Sequence, residues 1–427
     1  MRGSRLKPDL SPLRGSRDLR LVVLGGFVSG MGTQATMVAL PYQIYVQTHS
    51  ALLVGMLGAV ELGPIIIASL LAGAIADRMD RRTLLLLDQV GLVAGAGGLA
   101  LVAFLGSSPI VVLYLLAALL AAFSALQNVA ESAIVPNLVP AEELRSALAL
   151  NYGLYTLTMV LGPGLGGLLI GALGVKAAYA VDAVSCAAMV IAVLAIAPQP
   201  PHAAEHHDSI VGSITRGLRY VKGSNALMGS FAIDLVAMTF GMPRALFAAL
   251  SVSVYHAGAA GTGVLYSAVS AGATVAALTT GWLRHVRRLG LVVIWAVVAW
   301  GAAIAAAGVV GSLIPAVCLF ALAGAADSIS AVCRTTINQS ITPDYLRGRM
   351  SAVYSLVVTS GPRLGDVESG AVAGAAGILA SVISGGLLCI VGVGAVIAAF
   401  PALVSYDSEQ ANPQGTIAGA EAPKALP

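Results

Sequence analysis

The feature that most constrains this chain is a succession of long apolar runs, each near the roughly 20 residues that carry a helix across a bilayer core. They fall at 19–46, 53–76, 83–106, 109–134, 147–171 and 175–197, then at 223–254, 260–283, 289–311, 313–338, 349–372 and 376–404. In hydrocarbon, backbone N–H and C=O groups have no water to bond, so runs of this length can only be helices. The predicted fold is an all-α membrane protein of twelve transmembrane helices. The remainder divides into an N-terminal tail (1–18), a polar central loop (198–222) and a C-terminal tail (405–427) whose Pro, Gly, Ala and Gln content reads as disordered.

Composition closes off the soluble alternatives. Charged residues make up 10% of the chain and hydrophobic residues 58%, with a mean hydropathy of +0.89. A soluble domain carries roughly 25% charged residues. The net charge of +3 carries no nucleic-acid signal, so the expected partners are the lipid bilayer, a small molecule and protons, with a monomer as the unit. The four cysteines (Cys186, Cys318, Cys333, Cys389) lie in apolar runs without metal or disulfide spacing. The central loop's His202, His206 and His207 have no second shell to hold a metal, and no metal or cofactor is expected. The first apolar run exceeds the roughly 7–15 residues of a signal peptide core, so it is read as a span. With no nucleotide loop or nucleophile triad legible, an enzyme is not expected.

Charge asymmetry orients the spans. Nineteen of the 23 lysines and arginines fall in, or within two residues of, the two tails and alternate loops on one side, against Lys176 alone on the other; Arg244, Arg334 and Arg363 lie deep within spans. By the positive-inside rule, both termini are expected in the cytoplasm of a cell-membrane protein.

The two groups of six spans repeat. Gly162-Pro163-Gly164-Leu165-Gly166-Gly167 in span five matches Gly361-Pro362-Arg363-Leu364-Gly365-Asp366 in span eleven, and the preceding loops match at Asn137–Pro140 and Ser340–Pro343. The first loop on the basic side reads Gly73-Ala-Ile-Ala-Asp77-Arg78-Met-Asp80-Arg81-Arg82. It resembles the signature loop of the major facilitator superfamily, which implies two pseudo-symmetric six-helix halves with a substrate site between them near the midplane. The resemblance further implies that Asp77, Arg81 and Glu131 form a charge network that latches the outward-open state. Arg78 and Arg82 serve either that latch or topology alone. Asp80 departs from the family's usual glycine, and the equivalent loop of the second half, Gly281 to Arg288, lacks the aspartate.

Gly162-Pro163-x-x-Gly166-Gly167 matches the core of a motif associated with antiporters and exporters. A closer resemblance, to the enterobactin-exporter branch of the superfamily, covers nearly the whole chain. It rests on Pro41–Ser50, Ala76-Asp77-Arg78, Arg244, Gly281–His285 and Arg349-Met350-Ser351. That branch implies export of a siderophore-like or drug-like molecule driven by protons. A proton-coupled importer and a non-transporting membrane scaffold or sensor are the competing classes.

Ionisable groups inside spans are costly unless paired or facing water, so each is a functional candidate. Glu61, Asp234, Arg244, Asp327, Arg363 and Asp366 are candidates for substrate binding or proton coupling. Asp327, Arg334 and Asn338 share one face of span ten. Arg334, placed like Glu131 in its half, is read first as a gate residue and second as a cavity residue. Arg363 and Asp366 are spaced to pair, while Glu368 points elsewhere, and Asp182 is expected to pair with Lys176.

Overall fold

The computed structural model describes residues 11–76, 79–106, 108–200, 210–343 and 346–407. The expected runs are helices within a few residues of their predicted ends. Spans one to six are Arg17–Thr48, Ala51–Ala76, Arg81–Phe104, Ile110–Ile134, Leu144–Leu173 and Val175–Leu194. Span seven begins as Asn225–Phe240, and spans eight to twelve follow as Gly258–Thr279, Leu289–Ala307, Leu313–Ile341, Arg347–Ala376 and Ile378–Ala399. Among the described residues, eleven spans are long and apolar enough to cross a membrane. The twelfth, Arg347–Ala376, has the length at 30 residues and carries Arg363, Asp366 and Glu368.

Helix ends show how local sequence fixes these bounds. Ser16 caps span one, accepting from the Leu19 N–H at 3.2 Å, and Ser224 caps span seven in the same way. Asp80 caps span three, accepting from the N–H groups of Arg82 at 2.9 Å and Thr83 at 3.2 Å. The loop's departure from glycine thus has a local purpose, since an aspartate there satisfies two amides that the first helical turn leaves free.

The repeat is visible in the backbone. Among the described residues, the two non-glycine residues with positive φ are His49 (φ 50°) after span one and His256 (φ 53°) after span seven. The turns joining spans five to six and eleven to twelve both pivot on a left-handed glycine, Gly174 (φ 80°) and Gly377 (φ 96°). A β-carbon at either glycine would strain the turn.

The halves meet through glycine. A Cβ on Gly370 of span eleven would lie 2.8 Å from the Gly55 Cα of span two. A Cβ on Gly167 of span five would lie 2.9 Å from the Gly263 Cα of span eight. Such backbone-to-backbone approach is how membrane helices pack when hydrophobicity cannot drive them together. Both contacts sit near the ends of the spans away from the basic loops. Tyr45 of span one and Ser253 share a hydrogen bond of 2.6 Å at the same level. Toward the basic face, Gly63 and Gly153 meet nothing within 4 Å, and Tyr152 and Tyr155 of span five are exposed. The contacts between the halves, Gly55–Gly370, Gly167–Gly263 and Tyr45–Ser253, thus gather at the face away from the basic loops.

The central stretch, predicted as a linker, contains a helix, Ile210–Lys222. It lies against span eleven, where a Cβ on Gly217 would stand 2.8 Å from the Arg349 carbonyl oxygen, and the Tyr220 hydroxyl donates to the Ile341 carbonyl at 2.9 Å. His202, Glu205, His206 and His207 lie outside the described residues, as do most of the two tails.

Replacing Gly263 with valine should wedge the halves apart at the face away from the basic loops, with a cost of about 1–3 kcal/mol for overpacking. The expected outcome is lower thermal stability and loss of thiol cross-linking between cysteines placed at Tyr45 and Ser253. Cross-linking equal to that of the glycine protein would refute the contact.

Candidate functional site

Span seven is not the continuous helix that its sequence predicts. It stops at Phe240, breaks through Gly241-Met242-Pro243, and resumes as a 3-10 turn at Arg244–Leu246 before a π-helical turn at Leu250–Val254. Pro243 lacks an N–H and disfavours helix in the residue before it. The freed backbone groups find side chains instead. Trp300 Nε1 donates to the Gly241 carbonyl at 2.7 Å, Tyr266 donates to the Arg244 carbonyl at 3.1 Å, and the Ala245 N–H donates to Asp366 Oδ1 at 3.1 Å. Irregular backbone at membrane depth is stable only where protein or a water-filled cavity satisfies it, and transporters build their sites at such breaks.

Around this break the charged candidates converge. Arg363 of span eleven pairs with Glu61 of span two at 2.8 Å, an ion pair between the halves, and stands 3.8 Å from Asp366 on its own helix. The expected Arg363–Asp366 pair is therefore present, but it is the looser of the two contacts. The Arg363 side chain is 30% exposed and that of Glu61 14%, so the pair faces the cleft below the glycine seam. Gly58, one turn before Glu61, lies against the Arg363 carbonyl, which lets the two helices approach closely enough for the pair to form.

Deeper in the C-terminal half, Arg334 is ion-paired with Asp234 and stands 3.8 Å from Asp327. Arg334 and Asp234 are almost wholly buried, whereas the Asp327 side chain is 23% exposed. Arg334 thus sits inside the half as a bridge between spans seven and ten, and the placement differs from the gate position read from the repeat. Arg244 lies within electrostatic reach of Glu61, Asp327 and Asp366, joining the two groups. Together the site holds three guanidinium groups and four carboxyl groups.

Of the network that the resemblance implies, Arg81 and Glu131 are among the described residues. Asp77 and Arg78 lie outside the described residues, and for Gly73 only its helical backbone is described. Arg81 reaches the end of span four, where it donates to the Ala133 carbonyl at 2.7 Å and to Asn137 Oδ1 at 2.6 Å. Glu131 instead accepts from Gln127 at 2.7 Å. Arg82 donates to the carbonyls of Val193 at 3.1 Å and Leu194 at 2.8 Å, closing the end of span six. Both arginines satisfy carbonyls that a helix C-terminus leaves free, where positive charge is also favoured.

Other expectations resolve as follows. Asp182 does not pair with Lys176, whose ammonium lies 5.7 Å from the Phe104 ring centre; Asp182 is buried and accepts from Thr33 at 3.1 Å. The span-five motif splits between two neighbours. Gly162 and Gly166 face Gln34 and Ala35 of span one, whereas Pro163 and Gly167 face Gly263 of span eight. Sequence reasoning passed over Asp88 and Gln89, both fully buried in span three, although an acid directly after Leu84–Leu87 was legible.

Removing one member of a buried ion pair leaves the other uncompensated, at about 3–5 kcal/mol. Arg334→Met should therefore destabilise the purified protein strongly, and Asp234→Leu added to it should restore most of the loss. A melting curve for Arg334→Met matching that of the unsubstituted protein would contradict the pairing.

Comparison with known proteins agrees with this architecture. Residues 8–423 match the family model described as transmembrane secretion effector. The chain is 30% identical over 390 residues to the enterobactin exporter EntS of Shigella boydii serotype 4, and 31% identical to that of Citrobacter koseri. Each alignment spans 90% of this chain and 92% of the relative. The fold is similar to that of the nucleoside transporter NupG, with a TM-score of 0.71 at 13% identity over 91% of this chain and 98% of that one. It is also similar to an inward-facing, unoccupied bacterial homologue of the human lysosomal transporter Spinster, with a TM-score of 0.67 at 14% identity over 99% and 100% of the two chains. The chain is a multi-pass membrane transporter that belongs to the transmembrane secretion effector family, within the major facilitator superfamily.

Proposed function

We propose that this protein exports an anionic small molecule, siderophore-like or drug-like, in exchange for protons. The basic face is taken as cytoplasmic, on the charge bias of the loops, and the halves are read as parted there because their contacts gather at the opposite face, so the cleft between them opens inward. The observation that carries the reading is the Glu61–Arg363 pair at the roof of the cleft. The pair ties the two halves where a substrate entering from the basic face would arrive. A carboxylate or catecholate oxygen can take over the guanidinium through charge-assisted hydrogen bonds, releasing Glu61. Freed of that tie, the halves can part on the far side and close on the near one, which is alternating access about a fixed site.

Charge balance supports proton coupling. Four carboxyl groups against three guanidinium groups leave one negative charge in excess in the substrate-free site when all are ionised. Binding a proton at one carboxyl removes it. Asp327 fits that role best, since it is partly exposed while its neighbour Asp234 is buried against Arg334. Likeness to the enterobactin exporters supports the outward direction and the siderophore-like substrate.

The test is flux in inverted membrane vesicles given a proton gradient, with enterobactin as the probe. Gradient-dependent accumulation is expected. Arg363→Gln should cut it about ten- to hundredfold, the equivalent of the roughly 1.5–3 kcal/mol that a hydrogen bond to a charged group contributes. Proton-driven uptake of the probe into intact cells would establish import instead.

A further inference from the structure

The charged groups used above lie in the C-terminal half and on the seam. The N-terminal half holds an acid that they leave unexplained. Asp88, two turns into span three, is 0% exposed; neither carboxyl oxygen meets a partner at good hydrogen-bond geometry, and the neighbouring Gln89 is the polar group that faces it. An isolated carboxylate in such a place would be desolvated with no cation to compensate it, whereas a carboxylic acid would not. We propose that Asp88 is a proton-binding site of the N-terminal half, exchanging with the basic face through Glu131.

The surroundings fit that assignment. From span four, Glu131 faces Asp88 electrostatically, and it is itself only partly buried. The glycine at position 26 leaves room beside it: a Cβ there would lie 3.7 Å from Glu131 Oε1. Gln127 donates to Glu131, and Tyr155 of span five lies within its electrostatic reach. Among the described residues, Arg81 bonds to the end of span four and Arg82 to the end of span six.

On the other side, the residue next to Asp88 starts a buried polar chain. The Ser29 hydroxyl lies 3.3 Å from Gln89 Oε1 and 3.3 Å from Cys186 Sγ, and Cys186 lies 3.4 Å from Asp182 Oδ1. Polar groups from spans three, one and six thus run in sequence through the half, from Gln89 to Asp182. Two acids within electrostatic reach of each other favour keeping one proton between them. A buried acid that faces a solvent-reached one can therefore load and unload as the second is wetted or covered.

This inference builds on the proton-antiport reading, but its test needs no substrate. Infrared difference spectra of the full-length protein in lipid nanodiscs, taken between acidic and alkaline buffer, report protonated carboxyl groups directly. A carboxylic C=O band should titrate, be lost in Asp88→Asn, persist in Asp327→Asn, and titrate at a shifted pH in Glu131→Gln. Asp88→Glu, which keeps the acid, should retain a displaced band and guards against misfolding of the asparagine variant. A set of bands untouched by Asp88→Asn would overturn the proposal, as would a folded Asp88→Glu protein without a titrating band. A titrating Asp88 band in vesicles that show no proton-driven flux would support this site and remove the antiport reading.

Discussion

One ion pair holds the arrangement together. Glu61 and Arg363 meet at 2.8 Å across the boundary between the halves, directly beneath the place where glycines let the two backbones touch. Glycine contacts supply close packing without direction, since small residues meet equally well in several registers. The ion pair adds direction and conditionality. It forms only when spans two and eleven are in register, and any competing charge in the cleft weakens it. Asp366 couples this pair to the broken helix, because one of its oxygens faces Arg363 and the other accepts from the Ala245 amide. A change at the roof of the cleft is therefore felt by the backbone of span seven.

The C-terminal half carries most of this electrostatic machinery, while the N-terminal half carries a quieter polar interior. Asp234, Arg334 and Asp327 bridge spans seven and ten; Ser29, Gln89, Cys186 and Asp182 bridge spans one, three and six. The repeat preserves backbone devices with fidelity, down to paired left-handed residues at His49 and His256 and at Gly174 and Gly377. It does not preserve the side chains of the site. The two halves thus share one scaffold and differ in the chemistry of their interiors.

Much of the fold was legible in the sequence because membrane helices advertise themselves by unbroken apolar length. The break in span seven was not legible, because Pro243 sits in a run that stays apolar on both sides. The helix at Ile210–Lys222 was legible in principle from Ile214, Gly217 and Val221 recurring on one face, but its charges made it read as a loop. For the site, the identity of the charged residues could be read and their partners could not. Glu61 and Arg363 are far apart in the chain, and nothing local links them. Arg363 with Asp366 was foreseen because helical spacing alone brings them together. Arg334 was assigned to a gate by its place in the repeat, yet its partner Asp234 draws it into the interior.

The proposed role of the Glu61–Arg363 pair is to hold the state in which the basic face is open. Its most direct test is a spin-label distance across the opposite face, between Leu105 at the end of span three and Ile314 at the start of span ten, both exposed. In Glu61→Gln, the distribution should shift toward longer distances as the outer face opens, because a state loses population when the contact particular to it is removed. An unchanged distribution in that variant, in a protein that remains folded, would contradict the account.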